Sequence, residues 1–447
     1  MKYVFFSIVI FFIAASCTSD FDQALQEAKP PDKDFQQVQV FGGTNEDIAH
    51  NVVATPDGGF AVIGNTQSSD GNFSFKTTND SDFFVLKFDA SNELEWTKTY
   101  GGSGDDRGYD MVALLQGGYI LLGYSSSSDG DASRNEGMHD HWVIRIDKQG
   151  SLLWEKSFGF AGHDHAYNII ETPDGNFLFN GFLDVTASGG AGQDGKRGAQ
   201  RRHGVGEFWV HKIDGQGNLL WRNYYGGTNN DRSYDAIYTS DGNFLLVGTS
   251  ESSDVDISQP KGSYDIWVVK ISPRGKLIWE RSFGGSAYDS AAAVIEYPFG
   301  NYLVVGQSLS LDGDIQQPLG NSDVVLVEMD QEGNKATVKN IGTPNFDAGQ
   351  DLLPLLDGSL LLLGNTLSNA ATSTDETNEN SALVLHQLFP FNQKSKQYLL
   401  DGSDAEQPYA LAQKQDGTVV VVGSTTSSTP PFQPAFGAAD IFIAFWN

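Results

Sequence analysis

A segment of about 58 residues recurs seven times in this chain, and that period constrains the fold more than any other feature. An aromatic-Gly-Gly element appears as Phe41-Gly42-Gly43, Tyr100-Gly101-Gly102, Tyr225-Gly226-Gly227 and Phe283-Gly284-Gly285. Altered copies stand at Phe158-Gly159-Phe160, Ile341-Gly342-Thr343 and Leu400-Asp401-Gly402. The first glycine stands at 42, 101, 159, 226, 284 and 342, and Asp401 takes its place in the last copy, so the spacing is 58 or 59 residues except for one of 67. A second element follows every copy, as in Asp57-Gly58-Gly59-Phe60, Asp241-Gly242-Asn243-Phe244 and Asp416-Gly417-Thr418-Val419. A fixed period of this length means one supersecondary unit stacked against copies of itself.

Each unit reads as four short strands. Asp265-Ile266-Trp267-Val268-Val269-Lys270-Ile271 is rich in β-branched and aromatic residues, and a Gly or Asn turn leads from it to a strand carrying Trp279. Trp96, Trp154 and Trp221 hold the matching place in other copies. A third strand runs into the Asp-Gly pair and a fourth leaves it, the pattern of a type I′ hairpin. Four antiparallel strands repeated radially predict an all-β, seven-bladed β-propeller. A β-solenoid has far shorter rungs. Phe35 to Val40 aligns with the Trp-bearing strand, and the chain ends in Asp440-Ile441-Phe442-Ile443, which aligns with the strand before it. The last blade is therefore expected to close by pairing of the N- and C-terminal strands, which removes an exposed edge. Trp142, Trp209 and Trp267 sit at matched positions and are expected to pack between blades.

The N-terminus has a different character. Lys2 precedes an apolar run from Val4 to Ala15 that is too short to span a bilayer as a helix and fits a signal-peptide core. Ala14-Ala15-Ser16 leads to Cys17, the only cysteine in the chain, so no intramolecular disulfide exists and the thiol needs another role. The segment resembles a bacterial lipoprotein signal, with residues 1–16 removed and Cys17 lipidated with chains such as palmitate. Thr18-Ser19-Asp20-Phe21-Asp22 is similar to the acidic tag that sends such lipoproteins to the outer face of the outer membrane. Residues 17–34, with Pro30-Pro31, read as lipidated Cys and polar tether, and 35–447 as the propeller. The expected address is the cell surface, held by a lipid anchor. A formal net charge of −29 repels nucleic acid, so none is expected as a partner.

Several residues could carry chemistry. Asp47, Asp106, Asp164, Asp231, Asp289, Asp347 and Glu406 follow the Gly-Gly elements, while Asp82, Asp140, Glu207, Asp265, Asp323 and Asp440 open strands. Recurrence in nearly every blade favours Asp as a turn residue accepting backbone N–H bonds over a cation-binding ring. Asp129 and Asp131, Asp254 and Asp256, and Asp312 and Asp314 form Asp-x-Asp pairs that resemble part of a calcium site, though two carboxylates fall short of the six to eight oxygens calcium takes. Calcium is thus the one cofactor the sequence raises. His139, His141, His163 and His165 flank Asp140 and Asp164 in successive repeats, where imidazole and carboxylate together would suit a transition metal. The single long spacing places an insertion at 187–206, whose Lys196, Arg197, Arg201, Arg202 and His203 make a basic loop suited to an acidic glycan or a partner's carboxylates.

The repeat as a whole resembles a propeller family common in exported Bacteroidota proteins. Ser263 to Trp279 and Gly101 to Trp154 carry its pattern most fully, and the likeness extends over residues 36–446. Repeats six and seven depart most, lacking the Trp positions and the strand lysine. Members are sometimes labelled lectin-like. The resemblance implies a propeller and an exterior location but brings no catalytic residues. No Gly-x-Ser-x-Gly elbow, His-Glu-x-x-His helix or cysteine nucleophile is present. The expected function is a monomeric, non-catalytic binding or scaffold protein for a glycan or protein. The alternatives are a polysaccharide hydrolase or lyase on a propeller scaffold, and a structural envelope component.

Overall fold

The computed structural model describes residues 33–192, 203–297, 300–334, 337–355, 357–367, 380–389 and 394–447. Among these, 28 strands form seven four-stranded antiparallel sheets. In blade 4 the chain runs from an inner strand (Asp231–Tyr238) through two middle strands (Phe244–Ser250, Asp265–Ile271) to an outer strand (Leu277–Phe283), each paired with the next. Blade 7 differs in one respect. Its outer strand is Phe35–Phe41, which pairs with Asp440–Trp446 at the other end of the chain, as the sequence alignment of the termini requires.

In blades 1 and 4 the middle strands are buried along their whole length, because each blade is covered on both sides by its neighbours. Strand alternation then sends successive residues to opposite junctions. Ile266 and Val268 join the core between blades 4 and 5, whereas Trp267 and Val269 join the core between blades 3 and 4. Seven such interblade cores close the ring. Trp142, Trp209 and Trp267 are fully buried in this packing.

Two repeat motifs act between blades on the outer side. Gly150 has φ of 80°, and a Cβ there would come within 3.2 Å of the Trp96 ring of the preceding blade. Gly275 stands in the same relation to Trp221, at 2.9 Å, and Tyr225 donates its hydroxyl proton to the Gly275 carbonyl at 2.5 Å. The Asp-Gly turns are not of type I′. Only the glycine has positive φ, the Gly58 N–H bonds the Thr55 carbonyl at 3.0 Å, and Thr55 N–H bonds the Gly59 carbonyl at 3.0 Å. This is a type I turn closed by a glycine bulge, and Pro56 at the second turn position favours it over the mirror-image turn. The turn Asp has a further partner: Lys270 of the third strand reaches Asp241 at 2.6 Å, and Lys212 reaches Asp174 at 2.7 Å.

Candidate functional site

Inner strands face the propeller axis, and each carries one bulged residue. A bulge sets two residues against one and re-aims the extra side chain. The seven bulged residues are His50, Tyr109, Tyr167, Tyr234, Ala292, Gln350 and Tyr409, and all of them line an axial cavity of about 550 Å³. Five carry rings, and these rings touch in sequence. Tyr409 meets His50 edge-on at 5.2 Å, His50 stacks on Tyr109 at 4.4 Å, Tyr109 meets Tyr167 at 5.1 Å, and Tyr167 meets Tyr234 at 5.4 Å. The result is a continuous aromatic arc over blades 7, 1, 2, 3 and 4. The run of bulged rings stops at blades 5 and 6, where Ala292 and Gln350 take the bulged places and Tyr288, Ser290, Ala291 and Gln307 complete the wall.

Beside the arc lie three carboxyls that hold alternate junctions together. Asp110 accepts the N–H of Met111 in its own blade and of Ile169 in the next, both at 2.7 Å, and also the Asn51 and Asn168 amides. Asp235 accepts from Ala236 and Val294, and Asp351 from Leu352 and Leu411, in the same two-blade manner. Burial pushes Asp110 up to about 8 and Asp235 and Asp351 up to about 7, while the backbone N–H bonds pull the other way. Burial also holds His50 down at about 4, so its imidazole is neutral. The cavity therefore offers polarisable rings, amides and hydroxyls, with its carboxyls occupied by backbone.

The recurring acids seen in the sequence are tied to turns. Asp106 accepts the Gly102 N–H at 2.8 Å and the Ser127 hydroxyl at 2.7 Å, and Asp231 and Asp289 repeat this geometry with Gly227 and Ser252, and with Gly285 and Ser310. The Asp-x-Asp pairs clamp their loops to the same Gly-Gly turns. Asp129, Asp254 and Asp312 accept the N–H groups of Ser103, Thr228 and Ser286, while Asp131, Asp256 and Asp314 accept those of Gly101, Gly226 and Gly284. These turn bonds are a sufficient reason for the same Asp-x-Asp spacing to recur in three blades. In the insertion, Lys196, Arg197, Arg201 and Arg202 fall outside the described residues. His203 is described and contacts Glu207 at 2.9 Å.

The four clustered histidines separate into three and one. His141 is buried in the junction between blades 2 and 3, with Nε2 3.2 Å from the Phe182 carbonyl and its ring against Trp209 and His211. Its place one residue into a middle strand sends it inward, so it does not share a groove with the others. His139, His163 and His165 do converge. His139 Nδ1 is 2.8 Å from His163 Nδ1 and 3.0 Å from His165 Nε2. Burial lowers His139, and burial with the neighbouring histidines holds His165 down at about 2. Among the described residues, this is the group of three or more potential ligands whose donor atoms all lie within 4.8 Å. Tyr124 stacks on His165 at 4.0 Å and approaches Tyr109 at 5.7 Å, and His165 meets Tyr167 edge-on at 6.3 Å, so the cluster adjoins the aromatic arc.

Sequence reasoning missed the arc, although its signal is simple: an aromatic residue three positions after the ring acid, as in Asp106-Arg107-Gly108-Tyr109 and Asp231-Arg232-Ser233-Tyr234. Fold and site together define a seven-bladed β-propeller with an asymmetric axial cavity. No family model matches the chain. The regulatory protein FlaEY of Caulobacter vibrioides is similar over 199 residues at 23% identity, covering 42% of this chain and 20% of that protein, so the chain spans about a fifth of that relative's length. Among solved structures, puromycin hydrolase aligns with a TM-score of 0.46 and 11% identity over 86% of this chain and 51% of its own. YCF48 bound to D1 peptide gives 0.46 and 10% over 92% and 95%. The β-propeller domain of the Trilobed protease from Pyrococcus furiosus gives 0.43 and 9% over 90% and 94%. At such identities and scores no activity is carried from these proteins to this one.

Proposed function

We propose that this protein is a surface lipoprotein of the exported Bacteroidota type, anchored at Cys17, whose propeller binds a glycan at the axial cavity. The observation that supports this reading is the aromatic arc of Tyr409, His50, Tyr109, Tyr167 and Tyr234. Sugar rings present apolar C–H faces that stack on aromatic rings, and hydroxyls that pair with amides such as Gln307 and Gln350 across the cavity. The enzyme alternative is weaker, because acid–base work needs carboxyl oxygens that reach substrate, and those of Asp110, Asp235 and Asp351 are spent on backbone N–H groups. The basic loop at 187–206 remains a candidate second contact for an acidic sugar.

One experiment separates address from binding. Intact cells producing the protein are probed with a fluorescent glycan panel, with and without calcium, beside cells producing Cys17→Ser or Tyr109→Ala/Tyr234→Ala. Wild type should stay cell-bound and take up a defined subset of glycans. Cys17→Ser should lose the protein to the medium, and the tyrosine variant should keep the protein on the cell while losing the glycan. A blank panel with the protein present on the cell sinks the glycan reading and leaves a protein partner.

A further inference from the structure

We infer that the junction between blades 2 and 3 is a binding site for a borderline divalent transition metal, Zn²⁺ being the type ion, held by His139 Nδ1, His163 Nδ1 and His165 Nε2. The His163 and His165 nitrogens already lie 2.8 and 3.0 Å from the shared His139 atom. Around a tetrahedral zinc with bonds of about 2.0–2.1 Å, ligand nitrogens stand about 3.3 Å apart. A shift of a few tenths of an ångström opens these two pairs to that spacing, and the His163–His165 pair, within 4.8 Å, has to settle to the same distance. Hydrogen bonding alone serves the cluster poorly. A neutral imidazole has one N–H and one lone pair, and His139 Nδ1 faces two other ring nitrogens with only one of the two to offer. A cation in the middle would use all three lone pairs at once.

The surroundings look built for this role. On the far side of its ring, His139 Nε2 points at Asp105 Oδ2, 3.9 Å away, and Asp105 Oδ1 is fixed by Arg107 Nε at 2.8 Å. A carboxylate behind a ligating histidine, directly or through one water, is the usual means of fixing the ring's orientation. His165 is clamped between Tyr124 at 4.0 Å and Phe182 at 4.9 Å. The repeat supplies an internal control. The parallel bridge that joins His139 to His163 forms equally well as Tyr264–Tyr288 and Ser322–Phe346, so the scaffold does not require histidine there. Three imidazoles at one junction are a departure from the repeat, not a consequence of it. An all-imidazole set selects zinc, nickel or copper over calcium and magnesium. All three residues keep some solvent exposure, and three protein ligands leave a fourth position for water or an incoming donor.

The test is calorimetric titration of Zn²⁺ into the whole chain, purified without a histidine tag and stripped with a chelator, followed by Co²⁺ loading. Wild type should bind one Zn²⁺ saturably, and bound Co²⁺ should show the visible bands of a tetrahedral site. His163→Ala, the change that disturbs packing least, should weaken binding by at least about 100-fold and abolish the bands. Asp105→Asn, which touches no metal, should weaken it by about 10-fold, the low end for loss of an outer-shell partner. Asp254→Asn, on another junction, should bind as wild type does. Thermal melts confirm that each variant is folded. No saturable binding by wild type, or undiminished one-to-one binding by folded His163→Ala, would overturn the assignment.

Discussion

Asp110 shows how single residues are made to serve the ring. Its carboxyl is buried beside the axis, where a charge is costly, yet it is surrounded by N–H groups from its own blade and the next. Removing it leaves the Ile169 and Met111 N–H groups and two asparagine amides without their acceptor. An orphaned buried donor costs about 1–3 kcal/mol, so Asp110→Ala should lower the unfolding free energy by at least about 2 kcal/mol. Asp129→Ala, which frees an exposed loop N–H, should cost well under half as much. Denaturant titration of the two variants decides the matter, and equal midpoints would refute the interblade tie. Nothing about residue 110 announced this role in the sequence. Its partners are some 59 residues away, and Asp235 and Asp351 share the arrangement only in alternate blades, so no seven-fold pattern marks them.

Strands contribute through where they end up, and Phe35–Phe41 carries more than its length suggests. It pairs with Asp440–Trp446 from Phe35 opposite Trp446 to Phe41 opposite Ile441. Val40 enters the core between blades 6 and 7, while Phe41 packs on Phe88 of blade 1 at 5.4 Å. Deleting 35–41 therefore bares the edge of Asp440–Trp446 and opens both junctions. The expected outcome is a lower and broader thermal transition with self-association on size exclusion, because an uncovered edge pairs with other chains. A variant that stays monomeric with an unchanged melt would show that the clasp is dispensable. This closure could be read from the sequence, as could the seven blades, because seven noisy copies of one pattern correct each other's errors. The inner-strand bulges could not. A bulge adds one residue without changing composition, and its effect at Tyr109 or Tyr167 is to turn a ring toward the axis that strict alternation would have assigned elsewhere. The hairpin type is not legible in the Asp-Gly pair for a related reason: the Thr55-Pro56 before it decides the turn.

At the scale of the whole molecule, closing a ring around an acidic repeat has a consequence for pH. Burial raises a set of carboxyls far above the ordinary carboxylate range: Asp235, Asp351 and Glu406 to about 7, and Asp110 and Asp164 to about 8. A carboxyl raised in the folded state favours folding while it is protonated, so its contribution is complete below about pH 4 and is lost as pH climbs through 7 and 8. Buried histidines work in the opposite sense. His50 is lowered to about 4 and His141 to about 3, and His211 lies well below its usual value, so each favours folding when neutral. Their contribution is complete above about pH 6.5 and is lost as pH falls toward 4. The lysine-paired turn acids Asp57, Asp241 and Asp416 are lowered and stay ionised across this window, so they do not shape it. Between pH 4 and 6.5 the five raised carboxyls outnumber the three lowered histidines, so the histidines only flatten the acid side, and the melting temperature should be highest at the acid end of the range and fall by several degrees toward pH 9. Self-repulsion at a formal charge of −29 deepens the alkaline branch. Melts at constant ionic strength across pH 4.5 to 9 measure the curve, and Asp351→Asn separates its causes. An amide cannot ionise, so that variant should lose less between pH 6.5 and 9 than wild type does, even if it starts from a lower maximum. A melting temperature that rises steadily to pH 9 would mean that the axial carboxyls are ionised in the fold and that the N–H groups around them outweigh their burial.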